Sequence, residues 1–419
     1  MNSKIKIGMF GLGCVGQGLY EVLNKSTGFR ADIERIVVKN PDKKRPVNPS
    51  LISYDKNDIL NNPDIDVVVE LIDDPQSAYE IVKTALMHGK HVVTANKKML
   101  AHHFEELYQL QQKYGVSLLY EGSSCGSIPI IRTLEEYFDN EPIQSLEGIF
   151  NGTTNYILSK MTQDRIGYAE ALRQAQELGF AESDPTNDVE GYDAKYKALI
   201  MCWHAFGLSV HPDQVLNLGI DLLGSEDMDY LREKELKLKL TPVVKRLGAN
   251  NLVAFVLPQF VSKKNPIYYV EQEFNAVSLE ARYSGQQFFQ GRGAGSLPTG
   301  AAVLSDLSAL SYGYKYEYKK YRQNEHLTFT NQASIKVYVR FRHSEEIKDL
   351  KFTEIEQSYS SPGYQYIIGR ILLEELLEKR NSLHQKDIFL ALSEGGSESI
   401  VLQQDLSVTK EKLVESMEI

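Results

Sequence analysis

The sequence predicts an α/β protein with an N-terminal doubly wound parallel sheet, a following α+β domain and a small C-terminal α/β domain. Three observations support this prediction. A short apolar run, a glycine-rich loop and a helical pattern follow one another within residues 4–23. Further short apolar runs alternate with helical patterns, as in parallel sheets, at 33–38, 66–72, 91–95 and 117–120. Longer strand patterns come later, at 252–261, 268–273 and 276–282.

The length of 419 residues suggests two or three domains. We predict a first domain over 1–130, to which residues 298–315 return with a helix at 298–311, and a second, substrate-binding and dimerisation domain over 131–297. After a polar, tyrosine-rich linker we predict a third domain over 331–419. Its predicted elements are a strand at 335–341, a helix at 369–379 and a strand at 388–392.

The composition indicates which kinds of partner the protein binds. Acidic residues outnumber basic ones by 56 to 46, and the net charge of -10 repels nucleic acid and anionic membranes. Cys14, Cys125 and Cys202 are odd in number and lack the spacing of a zinc site. No signal-peptide pattern follows Met1, and no apolar run approaches about 18 residues. We expect a cytoplasmic protein that acts on a small molecule.

The glycine loop Gly11-Leu12-Gly13-Cys14-Val15-Gly16 lies between the first strand and the first helix. The first glycine suits a tight turn, the second lets backbone approach a pyrophosphate, and the third lets helix pack on strand. The amides of Cys14 and Val15 open the helix and face such an anion. The sequence therefore predicts a Rossmann domain that binds a dinucleotide; the alternative is a purely structural turn.

Basic residues follow the second strand, where an acid would favour NAD and a base NADP. The strand ends at Lys39, and Lys43, Lys44 and Arg45 come soon after. We therefore predict NADP, with NAD as the alternative, since a lysine cluster in a loop is often only a solvated surface.

Two further strands end in polar loops at the carboxyl edge of the predicted sheet, where ligands bind in such folds. One ends in Thr-Ala-Asn-Lys, which places Lys97 at that edge. The other leads into Glu121 and a run of small residues, Gly122 to Ser127. One carboxylate with exposed carbonyls suits a hard cation, and a helix-capping loop is the alternative.

The stretch from Gly179 to Lys197 contains five carboxylates and two lysines. Its first part favours an ordered loop, and an apolar helical pattern begins near Asp193. Asp193 and Lys197 are therefore one helical turn apart and share a face. The alternative is a solvated surface ion pair of little energetic weight.

Taken together, these motifs resemble those of one family, the homoserine dehydrogenases. The resemblance covers about residues 4–315. Its motifs, in chain order, are the glycine loop, Thr-Ala-Asn-Lys at 94–97, the Glu121 loop ending Gly-Ser-Ile-Pro, Asn-Gly-Thr-Thr-Asn-Tyr-Ile-Leu at 151–158, the stretch 179–197, and Gly-Arg-Gly-Ala-Gly-Ser-Leu-Pro-Thr at 291–299.

The resemblance implies nicotinamide-dependent interconversion of L-aspartate 4-semialdehyde and L-homoserine, in the synthesis of threonine, methionine and isoleucine. It implies that Lys197 is the proton donor and that Lys97 lies near the nicotinamide and the substrate oxygen. Glu182 and Asp193 would hold the substrate, with Asp188 as a supporting acid. It also implies a homodimer or larger homo-oligomer.

The resemblance assigns further binding residues. Gly179 and Gly293 would contact the cofactor through their backbone. Glu121 would hold a monovalent cation, Na⁺ or K⁺, together with the carbonyls of Ser124, Gly126 and Ile128.

The chain departs from the family pattern in two places. Asp73-Asp74 replaces the usual Gly-Gly after the fourth strand, which puts negative charge near an anionic cofactor. The C-terminal region has the position of an amino-acid-sensing ACT domain, but His343-Ser344-Glu345-Glu346 stands where a Pro-Gly turn is expected. We predict a divergent ACT-like domain, either a working feedback site or a purely structural one.

Two other functions fit the same residues. One is a Rossmann reductase for a different amino-acid-like aldehyde. The other is a catalytically silent regulator that binds nucleotide. Asp73 and Asp74 favour this alternative, whereas Lys97 and Lys197 argue against it.

Overall fold

The computed structural model describes residues 5–323 and 326–403. Within them the chain forms two compact units. Among the described residues, the first comprises 5–140, 199–209 and 291–323, and the second comprises 141–198, 210–290 and 326–403. The domain boundaries 1–130, 131–297 and 331–419 remain a prediction, and residues 404–419 lie outside the described part.

The first unit contains a six-stranded parallel sheet in the order β3-β2-β1-β4-β5-β6. This is the strand order of a doubly wound dinucleotide-binding fold, and it confirms the predicted class. The strands are β1 Ile5–Phe10, β2 Ala31–Val37, β3 Ile52–Ser53, β4 Val67–Glu70, β5 His91–Thr94 and β6 Leu118–Leu119. The first helices are α1 Cys14–Lys25, α2 Asn57–Leu60, α3 Pro75–Met87, α4 Lys97–Tyr114 and α5 Ile130–Arg132, which continues as a π-helix over Thr133–Tyr137.

The middle of the chain supplies most of the second unit. Its strands are β7 Ile143–Ile149, β8 Leu216–Asn217, β9 Lys237–Leu247, β10 Asn251–Val261, β11 Phe274–Ala281 and β12 Gly285–Arg292. Its helices are α6 Gly152–Gln163, α7 Tyr168–Glu177, α8 Thr186–Val189, α9 Tyr192–Phe206 and α10 Ser225–Glu233, and the last residues of α9 belong to the first unit. Then α11 Ser296–Leu310 and α12 Lys319–Gln323 lie in the first unit.

The C-terminal region extends the sheet of the second unit. Its elements are β13 Thr328–Phe329, β14 Ala333–Phe341, β15 Phe352–Ser361, β16 Tyr364–Leu372, α13 Leu373–Gln385, β17 Phe389–Leu392 and β18 Val401–Leu402. The main path of this mixed, 12-stranded sheet runs β12-β11-β7-β9-β10-β17-β14-β16-β15. Val253 and Phe255 of β10 share one core with Ile335, Val337 and Leu376 of this region. Its strands therefore pack as part of the second unit, and its relation to ACT domains stays a prediction.

Two predicted elements are wrong, each for a local reason. Residues 268–273 were expected as a strand, but Pro266–Tyr269 is a 3₁₀ helix that the Asn265 side chain caps through the amide of Ile267. The helix expected from residue 369 begins at Leu373, because β16 continues to Leu372 in register with β14. No helix among the described residues is long and apolar enough to cross a membrane.

The helix α11 packs closely against α1 within the first unit. A Cβ atom on Gly18 would lie 1.9 Å from the carbonyl oxygen of Ser296, and one on Gly300 would lie 2.5 Å from the backbone of Gly18. Glycine at both positions therefore allows the two helix backbones to touch.

Candidate active site

The glycine loop has the geometry that phosphate binding requires. Gly11 has φ of +90°, and a Cβ there would lie 2.5 Å from the carbonyl oxygen of Leu71. A Cβ on Gly16 would lie 2.5 Å from the carbonyl oxygen of Gly11, whereas no atom lies within 4 Å of one on Gly13. Gly13 precedes α1 and brings no side-chain cap, so the helix N-terminus, with Cys14 and Val15, presents backbone amides.

A cavity of about 780 Å³ opens beside this loop in the first unit. Gly11, Leu12 and Gly13 line it together with the end of β2 and Asp73 and Asp74. Four cationic residues also line it, namely Lys39, Lys43, Arg45 and Lys56. The cavity therefore combines amides and cations, the donors that bind phosphate groups.

Asp74 has a structural role that explains its presence. Its carboxylate accepts a hydrogen bond from the amide of Ser77 (2.8 Å) and so caps α3, which begins with Pro75. Hydrogen bonds from Ser77 hold the pKa of Asp74 below its usual value, and Lys39 and Lys98 act in the same direction. The negative charge at Asp74 is therefore engaged in capping a helix.

The Thr-Ala-Asn-Lys segment begins at the end of β5, and its side chains form hydrogen bonds with the end of β4 and the residues after it. The buried Glu70 accepts hydrogen bonds from the Thr94 hydroxyl (2.6 Å) and the Ile72 amide (2.7 Å). Asn96 donates to the Ile72 carbonyl (3.1 Å) and caps α4, so Lys97 is the first residue of that helix and is half-buried. Burial raises the pKa of Glu70 to about 7.

Glu121 caps a helix with both of its carboxylate oxygens. Oε1 accepts from the amide of Ile131 and Oε2 from the amide of Arg132, each at 2.9 Å. Burial raises the pKa of Glu121 to about 7. Its own amide donates to Asp306 (2.8 Å), whose pKa burial also raises. Glu121 therefore has the helix-capping role that the sequence allowed as the alternative to a cation site.

The loop after Glu121 turns sharply through two left-handed residues, Cys125 (φ 51°) and Gly126 (φ 56°). Ser124 is buried, and a Cβ on Gly126 would lie 2.6 Å from the carbonyl oxygen of Gly293. The carbonyl of Ile128 accepts from the amide of Ile130 (2.8 Å). Among the described residues, no group of three or more His, Cys, Asp or Glu side chains is arranged to hold a metal ion.

Asp193 and Lys197 form a buried pair in the second unit. Nζ of Lys197 lies 2.7 Å from Oδ2 of Asp193, and the two side chains are 9% and 6% exposed. The same Nζ donates to the carbonyl of Phe150 (2.7 Å). Because both side chains are buried, they do not form the solvated surface ion pair that the sequence allowed as the alternative.

Asn151 connects this pair to Asp188. Its Nδ2 donates to Oδ1 of Asp188 (2.6 Å) and to Oδ2 of Asp193 (2.9 Å). Its Oδ1 caps α6 by accepting from the amide of Thr154 (2.8 Å). The structure thus brings together Asp188, Asp193 and Lys197. The sequence did not single out Asn151 as a site residue; its place in the 151–158 motif was the available signal.

The remaining predicted site residues have other surroundings. Glu182 is exposed, and its carbonyl accepts from the side chain of Gln176 (3.0 Å). Gly179 has φ of +75° with open space around the position of a Cβ. Lys97 and Gly293 belong to the first unit, whereas Gly179, Glu182 and Lys197 belong to the second.

Comparisons with known proteins agree on one family. Residues 129–308 match the family model for homoserine dehydrogenase, and residues 11–121 match the model for the NAD-binding domain of homoserine dehydrogenase. A homoserine dehydrogenase of Bacillus subtilis is 37% identical over 315 residues, 73% of this chain and 72% of that protein.

Solved structures extend the similarity over more of the chain. The crystal structure of a homoserine dehydrogenase from Thiobacillus denitrificans has a TM-score of 0.81 at 29% identity and covers 93% of this chain and 98% of that one. A structure of S. aureus homoserine dehydrogenase has a TM-score of 0.70 at 31% identity and covers 94% and 100%.

Proposed function

The chain belongs to the homoserine dehydrogenase family, and we propose that it carries out the reaction of that family through the buried pair of Asp193 and Lys197. The reaction is the NAD(P)-dependent interconversion of L-aspartate 4-semialdehyde and L-homoserine. The observation that carries the proposal is the link from Lys197 through Asp193 and Asn151 to Asp188. It places one amine among carboxylates, as a zwitterionic substrate with a reducible carbonyl requires.

Lys197 is assigned the proton transfer. When hydride adds to the aldehyde carbon, negative charge develops on the oxygen, and an ammonium stabilises that charge and then donates a proton. An ammonium has three N–H groups. Two donate to Asp193 and to the carbonyl of Phe150, which orient the amine, and the third is assigned to the substrate oxygen.

The other polar residues are assigned to binding. Asp193 and Glu182 hold the substrate's amine and hydroxyl, and Asp188 supports them through Asn151. Lys97, which begins α4 at the carboxyl edge of the parallel sheet, would contact the nicotinamide and the substrate oxygen.

For the cofactor we propose NADP. Its extra phosphate would lie among Lys39, Lys43, Arg45 and Lys56, which line the cavity beside the glycine loop. The pyrophosphate would lie on the amides of Gly13, Cys14 and Val15, and Gly179 and Gly293 would contact the cofactor through their backbone. When bound, the cofactor supplies the hydride.

For the Glu121 loop we propose a monovalent cation held by Glu121 and the carbonyls of Ser124, Gly126 and Ile128. The donor set fits a hard cation, because it consists of oxygen atoms. Each carboxylate oxygen of Glu121 has lone pairs beyond the one used by a helix amide. Oδ1 of the neighbouring Asp306 is buried and has no hydrogen-bond partner among the described residues.

The family assignment supports two further proposals. We propose a homodimer or larger homo-oligomer in the cytoplasm. We also propose that residues 331–419 form a divergent ACT-like domain that either senses an amino acid or is purely structural.

An assay of the purified protein tests the function. We expect oxidation of NADPH, followed at 340 nm, when L-aspartate 4-semialdehyde is supplied, and weaker oxidation of NADH. A preference for another aldehyde would identify a different reductase, and absence of turnover with tight cofactor binding would identify a silent regulator.

A further inference from the structure

A contact within the second unit joins the C-terminal region to the segment that carries Asp188 and Asp193. Nη2 of Arg380, on α13, donates to the hydroxyl of Tyr192 (2.6 Å). The guanidinium lies 4.8 Å from the centre of the Tyr192 ring, within the range of a cation–π interaction. The same nitrogen lies 3.8 Å from a carboxylate oxygen of Glu190. Arg380 therefore holds both ends of the short turn between α8 and α9.

This turn determines where the two acids lie. Asp188 is in α8, Glu190 follows α8, Gly191 turns the chain with φ of +83°, and Asp193 is the second residue of α9. A shift of the turn would therefore move Asp188 and Asp193 relative to Asn151, which donates to both.

The backbone of the turn is held separately, by the last residue of β8 and the segment that follows it. The side chain of Asn217 donates to the Glu190 carbonyl (2.8 Å), and the amide of Ile220 donates to the Val189 carbonyl (2.8 Å). One helical turn after Arg380, Nε2 of His384 lies 2.8 Å from Oδ2 of Asp221. Helix α13 thus contacts both the turn and the segment that supports it.

We propose that Arg380 is a positioning residue of the active site, acting through Tyr192 and Glu190 on Asp193, Asp188 and Lys197. The proposal rests on the function assigned above to the Asp193 and Lys197 pair. Arginine suits the role, because its planar guanidinium can lie against the Tyr192 ring, donate to the Tyr192 hydroxyl and keep its charge near Glu190. The C-terminal region then supports catalysis through this contact.

The test compares Arg380→Gln with Lys379→Gln. Lys379 is the neighbouring residue on α13, and its ion pair with Glu375 stays within that helix (3.4 Å). For Arg380→Gln we expect kcat to fall about tenfold, because a small misplacement of reacting groups slows chemistry strongly. We expect KM for NADPH to stay within about twofold, because the cofactor cavity belongs to the other unit. Hydrogen exchange should rise at the amides of 186–193, and Lys379→Gln should match the wild type in each readout.

A double-mutant cycle with Tyr192→Phe tests the route. Removing the hydroxyl should make Arg380→Gln less damaging than in the wild-type background, since part of the interaction is already lost. Additive effects would overturn the proposal. The proposal would also be overturned if Arg380→Gln unfolded at a lower temperature but kept the wild-type kcat, expressed per cofactor-binding site. That result would indicate a purely structural contact.

The outcomes also separate this proposal from the assigned function. If Lys197→Met abolishes turnover but Arg380→Gln behaves like Lys379→Gln, the positioning role is wrong and the function stands. If the wild type does not reduce the semialdehyde, the function is wrong, and the exchange at 186–193 still decides whether Arg380 holds the turn.

Discussion

Oδ2 of Asp193 accepts hydrogen bonds from both Nζ of Lys197 (2.7 Å) and Nδ2 of Asn151 (2.9 Å). One oxygen atom thus orients the amine and connects it to Asp188. Because the pair is buried, water does not screen these interactions as it would at the surface. Substitutions of Asp193, Lys197 or Asn151 should therefore change activity or stability by a measurable amount.

Replacing Lys197 tests the proton donor. We expect Lys197→Met to lower kcat by about 100-fold or more, the usual contribution of a general acid. The dissociation constant for NADPH, measured by fluorescence, should stay within about twofold. Lys160→Met is the control, because Lys160 is a partly exposed lysine whose ion pair with Asp164 lies at the C-terminal end of α6 (3.0 Å). A near-normal kcat for Lys197→Met would remove Lys197 from the role.

Two changes at Asn151 separate its cap from its contacts with the acids. Asn151→Asp keeps an acceptor for the Thr154 amide but loses the donor to Asp188 and Asp193 and adds a third carboxylate. We expect Asn151→Asp to lower kcat/KM more than Asn151→Ala does. We also expect Asn151→Ala to lower the free energy of unfolding by roughly 1–3 kcal/mol, from the cap and the unpaired buried acids.

Asn48→Ala is the control for the loss of a cap alone, since exposed Asn48 caps a short 3₁₀ helix at Pro49–Leu51. Wild-type kcat/KM in both Asn151 variants would show that the hydrogen bonds to the acids do not matter for turnover, because both variants lose the Nδ2 donor.

Lys39 tests the cofactor. We expect Lys39→Ala to raise KM for NADPH by about tenfold or more and to leave KM for NADH nearly unchanged, because a charged hydrogen bond to phosphate contributes roughly 1.5–3 kcal/mol. Lys25→Ala, at the exposed end of α1, is the control. An equal rise for both cofactors would place the Lys39 side chain away from the extra phosphate.

The raised pKa of Glu70 predicts a pH dependence of stability. The folded state holds this proton up to about pH 7, whereas the unfolded chain releases it near 4.5. The stabilisation by Glu70 is therefore complete below about pH 4.5 and is lost as the pH rises to about 7. Its full contribution to the free energy of unfolding is roughly 3 kcal/mol.

Glu70→Gln should flatten the fall in the free energy of unfolding between pH 4.5 and 7, as measured by urea titrations. Glu21→Gln, at an exposed carboxylate on α1, should leave the slope as it is in the wild type. An unchanged slope in Glu70→Gln would mean that the carboxyl ionises normally in the folded state.

The contact between α1 and α11 predicts a large effect of one methyl group. Gly18→Ala would place a Cβ 1.9 Å from the Ser296 carbonyl oxygen, so the helices must separate. We expect a loss of about 1–3 kcal/mol or more in the free energy of unfolding, the range for overpacked sites. Gly28→Ala, which meets no atom within 4 Å, should change stability by less than about 1 kcal/mol. Equal stability of the two variants would contradict the packing.

Local patterns predicted the first sheet well, because its strands are apolar and are separated by helices of ordinary length. Short elements escaped detection: β3 has two residues and α2 has four, too few to show a period. In the second unit, the Asn265 cap and Pro266 set the local conformation more strongly than the apolar pattern of 268–273 did. The end of β16 depended on pairing with β14, which no local pattern encodes.

The sequence by itself determined the dinucleotide-binding fold, the family and the spacing that places Asp193 and Lys197 on one face of a helix, because these follow from periodicities of a few residues and from contiguous motifs. Only the tertiary structure decided that this pair is buried, that Asn151 joins it to Asp188, and that Arg380 reaches the same turn. Those contacts connect residues up to 188 positions apart. Whether an acid faces water, an amide or a guanidinium depends on which distant segments pack beside it.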